Sequence, residues 1–396
     1  MPQNNFVIDN GTGLAVRQDI ENALQSLATN STGNSAPSTN YPSQFYANSS
    51  SGIMQINNTS GNNFINLFTL AGAPAFAVDG TINSVNIGKG ANSVSQNTVL
   101  GEGALDAAVS GGSNTALGFN SLTANTSGGF NTAVGAESME ANETAANNVA
   151  VGWRSLHDNT AGAQNVAVGV SALAQNQSAN NNIAVGFLAL TANQTGVNNV
   201  AVGSLALDAV TTSNNHVAVG FNSLSANTSG EKNTGVGSST LAFNTSGEKN
   251  VAVGYVALEK NETGSRNTAV GEEALAGNTT ASGNTAVGSE ALKTCQSGHS
   301  NSAVGNFALQ DLTTATNCTA IGKSAGADIT TGASNVAVGS FSLLATTTSS
   351  NNTAVGVSAL TAVTTGSGLN TGIGVQAGAD VTTGVNNLLL GFNAGR

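Results

Sequence analysis

The chain has 396 residues, 49 of them glycine, and only 8% are charged, against about 25% in an ordinary globular domain. Ten Lys and Arg against 21 Asp and Glu give a formal net charge of −11. That balance disfavours nucleic acids and anionic membrane surfaces as partners, since both are held by clustered basic side chains. So few ionisable groups also argue against an enzyme, and no cofactor or metal motif stands out.

At the N-terminus no basic segment precedes an apolar run, so no secretory leader is expected. No apolar run reaches 18 residues; Ala71–Val78 is too short to span a bilayer. Val16, Ile20, Ala23, Leu24 and Leu27 share one helical face, and the turn residues from Asn30 to Gly33 stop that helix. Three short strands are expected at 44–48, 53–58 and 63–70, separated by turns at Ser49–Gly52 and Thr59–Asn62. Residues 71–83 read as a linker. Residues 1–83 thus form a small α+β module, distinct from everything that follows.

From Gly101 a glycine recurs every 17 residues to Gly356, then after 18 at Gly374 and 17 at Gly391. The motif is N-[TV]-A-V-G-x-x-A-L, as in Asn131–Gly135 and Asn250–Gly254. So short a period suits one coil of a β-solenoid, with two short strands and two turns. Val, Ile or Leu always precedes the glycine and is expected to face the core; the Ala before it then faces outward. A flat Ala column invites close approach of other chains, so Ala133, Ala150, Ala167 and Ala184 are assigned to the interface of a homotrimer. Leu, or Met139 in one coil, stands four residues after the glycine and closes the coil; an apolar side chain is missing there only at Gly326, Gly378 and Gly395. An Asn column four before the glycine is expected to form an amide ladder. A second, from Asn125 to Asn278, is expected to make the other corner. Toward the C-terminus that column ends, and Thr pairs begin at 313, 330, 347, 364 and 382. Eighteen coils give a rod of roughly 85 Å.

The repeated N-[TS]-[AV]-[AV]-G-x-x-[AS] coil resembles the head repeat of YadA-type trimeric autotransporter adhesins. The resemblance covers residues 84–396 and implies an all-β fold, a parallel β-roll or β-solenoid of intertwined homotrimers. The coil is longer than in that family. No counterpart of the family's signal peptide, stalk or membrane barrel is evident, so another carrier is expected. Phe6–Gly13, Phe45–Asn48 and Gly52–Ile56 resemble the N-terminal module of tailed-phage fibre proteins, notably from cyanophages. Aromatic residues other than Trp stand at the anchors. This resemblance implies a virion fibre that contributes to host-cell attachment. The N-terminal module would bind other virion proteins, and the far end would touch a host surface glycan or a distal tip protein. A bacterial surface adhesin of the trimeric autotransporter-head type is the alternative.

Within the repeat, the position after the corner glycine carries Phe119, Trp153, Phe187, Phe221 and Tyr255, on every second coil. Alternation relieves crowding between rings at the coil spacing. Such a stripe either packs against a neighbouring subunit or under a loop, or stacks on sugars of a surface glycan. Lys232, Lys249 and Arg266 share one coil position beside Glu231, Glu248 and Ser265, and suit a solvated ladder of ion pairs. His157, His216 and His299 share no position, and His216 substitutes for a ladder Asn. Glu137, Glu140 and Glu143 form the densest acidic run, with no second cluster expected to face it. Asp328 and Asp380 suit turn caps. Cys295 and Cys318 are expected to be small, buried, unpaired residues. Thr pairs on one strand point to opposite faces, so a flat ice-binding Thr array is not expected.

Overall fold

The computed structural model describes residues 84–107, 109–364 and 368–395, with the backbone of five short strands before them. The chain divides into two compact units, Met1–Asn83 and Ser84–Arg396. In the first unit β1 (Thr32–Gly33) runs parallel to β2 (Phe45–Asn48). The latter pairs antiparallel with β3 (Ile53–Asn57), and β3 with β4 (Phe64–Thr69). Phe45 lies opposite Ile56, and a register shift falls between Met54 and Gln55. The helix expected over 16–27, the Phe6–Gly13 stretch and most of the 71–83 linker, β5 (Gly80–Ile82) apart, lie outside the described residues.

The second unit begins with β6 (Val85–Gly88), antiparallel to β7 (Thr98–Gly101). From there the chain is a parallel β-solenoid. Each coil contributes one three-residue strand, from β8 (Thr115–Leu117) to β24 (Leu388–Leu390). Residues one period apart lie side by side, Ala150 beside Ala167 and Ala167 beside Ala184. The glycine after each strand turns the corner with φ near +135°, as at Gly135 and Gly152. A Cβ on Gly135 would stand 2.5 Å from the Gly152 carbonyl oxygen of the next coil. Nothing but glycine fits there.

The expected second strand is instead a wall of stacked turns. Its backbone still bonds from coil to coil, Leu122 N–H to Ser138 O and Ala124 N–H to Glu140 O, both at 3.1 Å. Left-handed residues two and four after the corner, Asn120 and Leu122 at φ 52°, prevent an extended run. A left-handed leucine costs about 1–2 kcal/mol. Burial of its side chain, worth about 1.5–3 kcal/mol, offsets that cost, since Leu122, Leu156 and Leu190 are fully buried. Gly326 and Gly378 keep the left-handed turn at φ 59° and 65° without the side chain. Ile329 fills the space beside Gly326; Leu389 and Val381 fill it beside Gly378.

The two strand faces are reversed from the sequence expectation. The Ala column, including Ala133, Ala150, Ala167 and Ala184, is fully buried inside the chain's own coil. These residues cannot themselves form an outer interface. The aliphatic residue before each glycine points outward, and so does the Thr or Val before the Ala. The physical reason is the thinness of the coil. Leucines from the turn wall already cross the interior, and only Ala leaves them room.

The two Asn columns also exchange roles. In the first, each Oδ1 accepts the backbone N–H of the next Asn, as from Asn148 to Asn131 at 3.0 Å, and Nδ2 donates to a carbonyl. Only near the C-terminus does this column add amide-to-amide bonds, as from Asn352 to Asn335. The continuous amide ladder is the second column. Asn142 donates to Asn125 at 2.9 Å, Asn159 to Asn142 at 3.0 Å and Asn176 to Asn159 at 2.7 Å. None of its Asn residues is left-handed. Val210 interrupts this ladder, leaving the buried Asn193 Oδ1 without a partner. The C-terminal Thr pairs do not replace this column. They stack one position further on, hydroxyl to carbonyl, as from Thr313 to Thr330. Leu312, Ile329 and Val363 take the Asn place in the interior.

Candidate functional site

The corner sends the residue after the glycine outward, so this column can vary without touching the core. All five stripe aromatics are exposed, from 48% at Phe119 through Trp153, Phe187 and Phe221 to 57% at Tyr255. The coils between carry Ala136, Val170, Ser204 and Ser238. Arg154 lies over the Trp153 ring, its guanidinium carbon 5.8 Å from the centroid.

A shallow hollow of about 340 Å³ is lined by residues of the coils that carry Trp153 and Phe187 and of the coil between, Arg154 and Leu188 next in sequence to the two rings among them. Arg154, His157, Asp158, Ser171, Gln175 and Thr191 give it its polar lining, and Leu188 an apolar edge. Its residues come from three successive coils. Asp158 is its only carboxylate, whereas glycoside hydrolysis ordinarily uses two flanking the bond.

Next to the hollow, the acidic run meets a group that the sequence reading placed elsewhere. His157 occupies the coil position of Glu140 one period on, and its Nε2 lies 2.8 Å from Glu140 Oε2 and 3.9 Å from Glu137 Oε2. Asp158 holds its Nδ1. Arg154 approaches Glu137 at 3.6 Å, and Asn120 donates to Glu140 at 3.3 Å. What faces these glutamates is thus a single imidazole and a guanidinium rather than a second acidic cluster. Glu137, Glu140 and His157 each offer one ligand atom, all within 4.8 Å of one another. One imidazole and two carboxylates are a donor set that suits a divalent transition metal. The same geometry also satisfies itself as an ion-paired network. The usable signal was the 17-residue separation of Glu140 and His157, because equal coil positions become neighbours.

The remaining candidates are structural. Lys232 and Lys249 pair with Glu231 and Glu248 of their own coils at 3.6 and 3.5 Å, in solvent. His216 fills its ladder place. It donates its N–H to Asn199 Oδ1, accepts from Asn233 N–H on Nδ1, and sets Nε2 3.1 Å from Ser213 Oγ. Burial lowers its pKa from 6.5 to about 4. Cys295 and Cys318 are free and buried in the second and first Asn columns. Burial pushes the Cys295 thiol up to about 12. Asp328 is raised by burial and by Asp311 of the preceding coil. Among the described residues no helix is long and apolar enough to cross a membrane.

No family model, curated protein or solved structure matches the chain.

Proposed function

We propose that the chain is the rod of a homotrimeric attachment fibre, carried on a tailed-phage virion and contacting the host cell. The observation that carries this reading is the uncovered outer face of the strands. Two columns run along it, Thr, Val, Ile, Ser or Leu in one and Val, Ile or Leu in the other, and no residue of either is buried. Leu117, Val151, Val287, Val304 and Ile321 are among its exposed members. Two columns along an eighteen-coil rod cover on the order of 800 Å², about one partner's share of a standard stable interface. Association of chains along this face would cover it. The buried Ala column then packs the wall behind the interface rather than the interface itself. The number three and the virion setting rest on the sequence resemblances.

The test is the mass of the intact protein, with Val287→Lys and Val304→Lys combined as the variant. The parent should weigh three chains, and the variant should fall to one chain with its far-UV spectrum unchanged. Antibodies raised against the rod should label fibres on whole particles. A parent that stays monomeric at micromolar concentration would refute the assembly. Unlabelled particles that contain the protein would refute the fibre.

A further inference from the structure

We propose that the aromatic stripe is a track for an extended, neutral, β-1,4-linked polysaccharide. This rests on the attachment reading above, and names the ligand class of its outer surface.

The stripe has a stride. Phe119, Trp153, Phe187, Phe221 and Tyr255 lie 34 residues apart, hence two coils, or about 9.6 Å of rise. Crowding alone does not require this spacing, because aromatic ladders on adjacent strands are stabilising in stacked sheets. Nor does folding require it, since Asn306, Lys323 and Ser340 occupy the same position further along. In an extended β-1,4-linked chain successive sugars flip, so every second ring presents the same face. That face recurs at nearly the two-coil rise. A chain lying along the rod would therefore set one sugar face on each aromatic ring, while the small or narrow side chains at Ala136, Val170, Ser204 and Ser238 clear the flipped sugars.

The hollow supplies a second, independent feature. It spans the stride from Trp153 to Phe187, taking residues from the coils of both rings and from the one between. Its polar lining includes the Arg154 guanidinium, the hydroxyls of Ser171 and Thr191, and the Gln175, Gln177 and Gln194 amides. These donors and acceptors suit sugar hydroxyls and amide substituents. Apolar stacking on one side with hydrogen-bonding groups on the other is how amphipathic sugar rings are held. The charge argues for a neutral chain. The hollow balances Arg154 against Asp158, and Glu102 and Glu272 stand in the same column at the two ends of the stripe.

The experiment uses the full chain and titrates it with cellohexaose and chitohexaose, with a maltohexaose control whose α-linked chain curls. The variants are Trp153→Ala with Phe187→Ala, the ring-retaining Trp153→Phe, and Phe243→Ala as an exposed aromatic off the stripe. Mass and melting temperature are recorded on the same samples. We expect one or both β-linked hexasaccharides to bind and the curled chain not to. The double variant should lose at least about tenfold in affinity with mass and melting unchanged. Trp153→Phe and Phe243→Ala should bind nearly as the parent does. Absence of binding by the parent overturns the proposal, as does equal binding of the curled control or an undiminished double variant. If the double variant instead changes the mass, the stripe is a contact between chains and the proposal also falls. A parent that binds no glycan yet weighs three chains leaves the fibre assembly standing, so the two readings fail separately.

Discussion

His216 offers a direct test of how the interior is wired. Its ring accepts the Asn233 N–H on Nδ1, which leaves the proton on Nε2 toward Ser213. A second proton would remove that acceptor and put a charge inside the coil. Burial accordingly lowers the folded pKa from 6.5 to about 4, against smaller opposing pulls from the Gly230 backbone and then Glu231. The sign follows. Between pH 6.5 and 4 the unfolded chain binds the proton and the folded chain does not, so stability falls as the pH is lowered through this window. Each pKa unit is worth about 1.4 kcal/mol, so the full loss is about 3 kcal/mol, with about 2 kcal/mol of it gone by pH 5. Below pH 4 both states carry the proton and no more is lost. His216→Asn restores the residue found at this position in neighbouring coils, where Oδ1 takes the same backbone N–H. The assay is urea unfolding of parent and variant at pH 7.5 and pH 5. Carboxylates common to both chains cancel in the comparison. The parent should lose about 2 kcal/mol more than the variant, and the variant should be no less stable at pH 7.5. Equal losses would refute the assignment of a neutral, ladder-bound His216.

Two further substitutions probe the interior. Ala167→Leu adds three carbons to a fully buried position and should cost about 1–3 kcal/mol through overpacking. The loss of melting temperature should be the same at low and high protein concentration, because the contact is within one chain; a loss that vanishes on dilution would return Ala167 to an interface. Asn176→Val should cut the amide ladder and strand Asn159 Oδ1, costing about 1–3 kcal/mol. Val210→Asn should rejoin the ladder at Asn193 without loss. Reversed signs in this pair of denaturation midpoints would show that the amide column does not stabilise the stack.

The coil, its register and its corner glycines were legible because a stacked repeat puts equal positions side by side, and a 17-residue recurrence says which residues those are. The direction of the strand was not legible. In Thr-Ala-Val the alternation permits Val inward or Ala inward, and hydrophobicity favours Val. What decides is the opposite wall, where Leu122 and its equivalents reach across the interior from left-handed backbone. Leucine has no preference for that conformation, so nothing local announces it. The substitutions at Gly326 and Gly378 carried the clue. Where the leucine is absent the turn residue is glycine, and an aliphatic residue, Ile329 or Val381, appears three positions later in place of Asn. Leu312 and Val363 put an aliphatic residue at that same place beside a retained leucine, so the clue is the glycine, which marks the left-handed turn.

The candidate site divides along the same line. The aromatic stripe was legible as a column one residue past the corner glycine, but its exposure was not, since packing under a loop fits the same pattern. The Glu137–Glu140–His157 group was not legible, since the histidines share no coil position with one another and the group forms only across the stacking of neighbouring coils. In a solenoid every surface constellation is written twice, once within a coil and once at the period. Glu137 and Glu140 belong to the first writing, Glu140 and His157 to the second. Because each coil is fastened from inside by Asn, Ala and Leu, substitutions in the outward columns leave the stack intact. A regular pattern in such a column therefore has to be explained by what lies against it. The two-coil stride of the aromatics is the longest regular pattern in the column after the corner, and it ends at Tyr255 while the stacked strands continue to Leu390. The fold alone gives no reason for it to stop there.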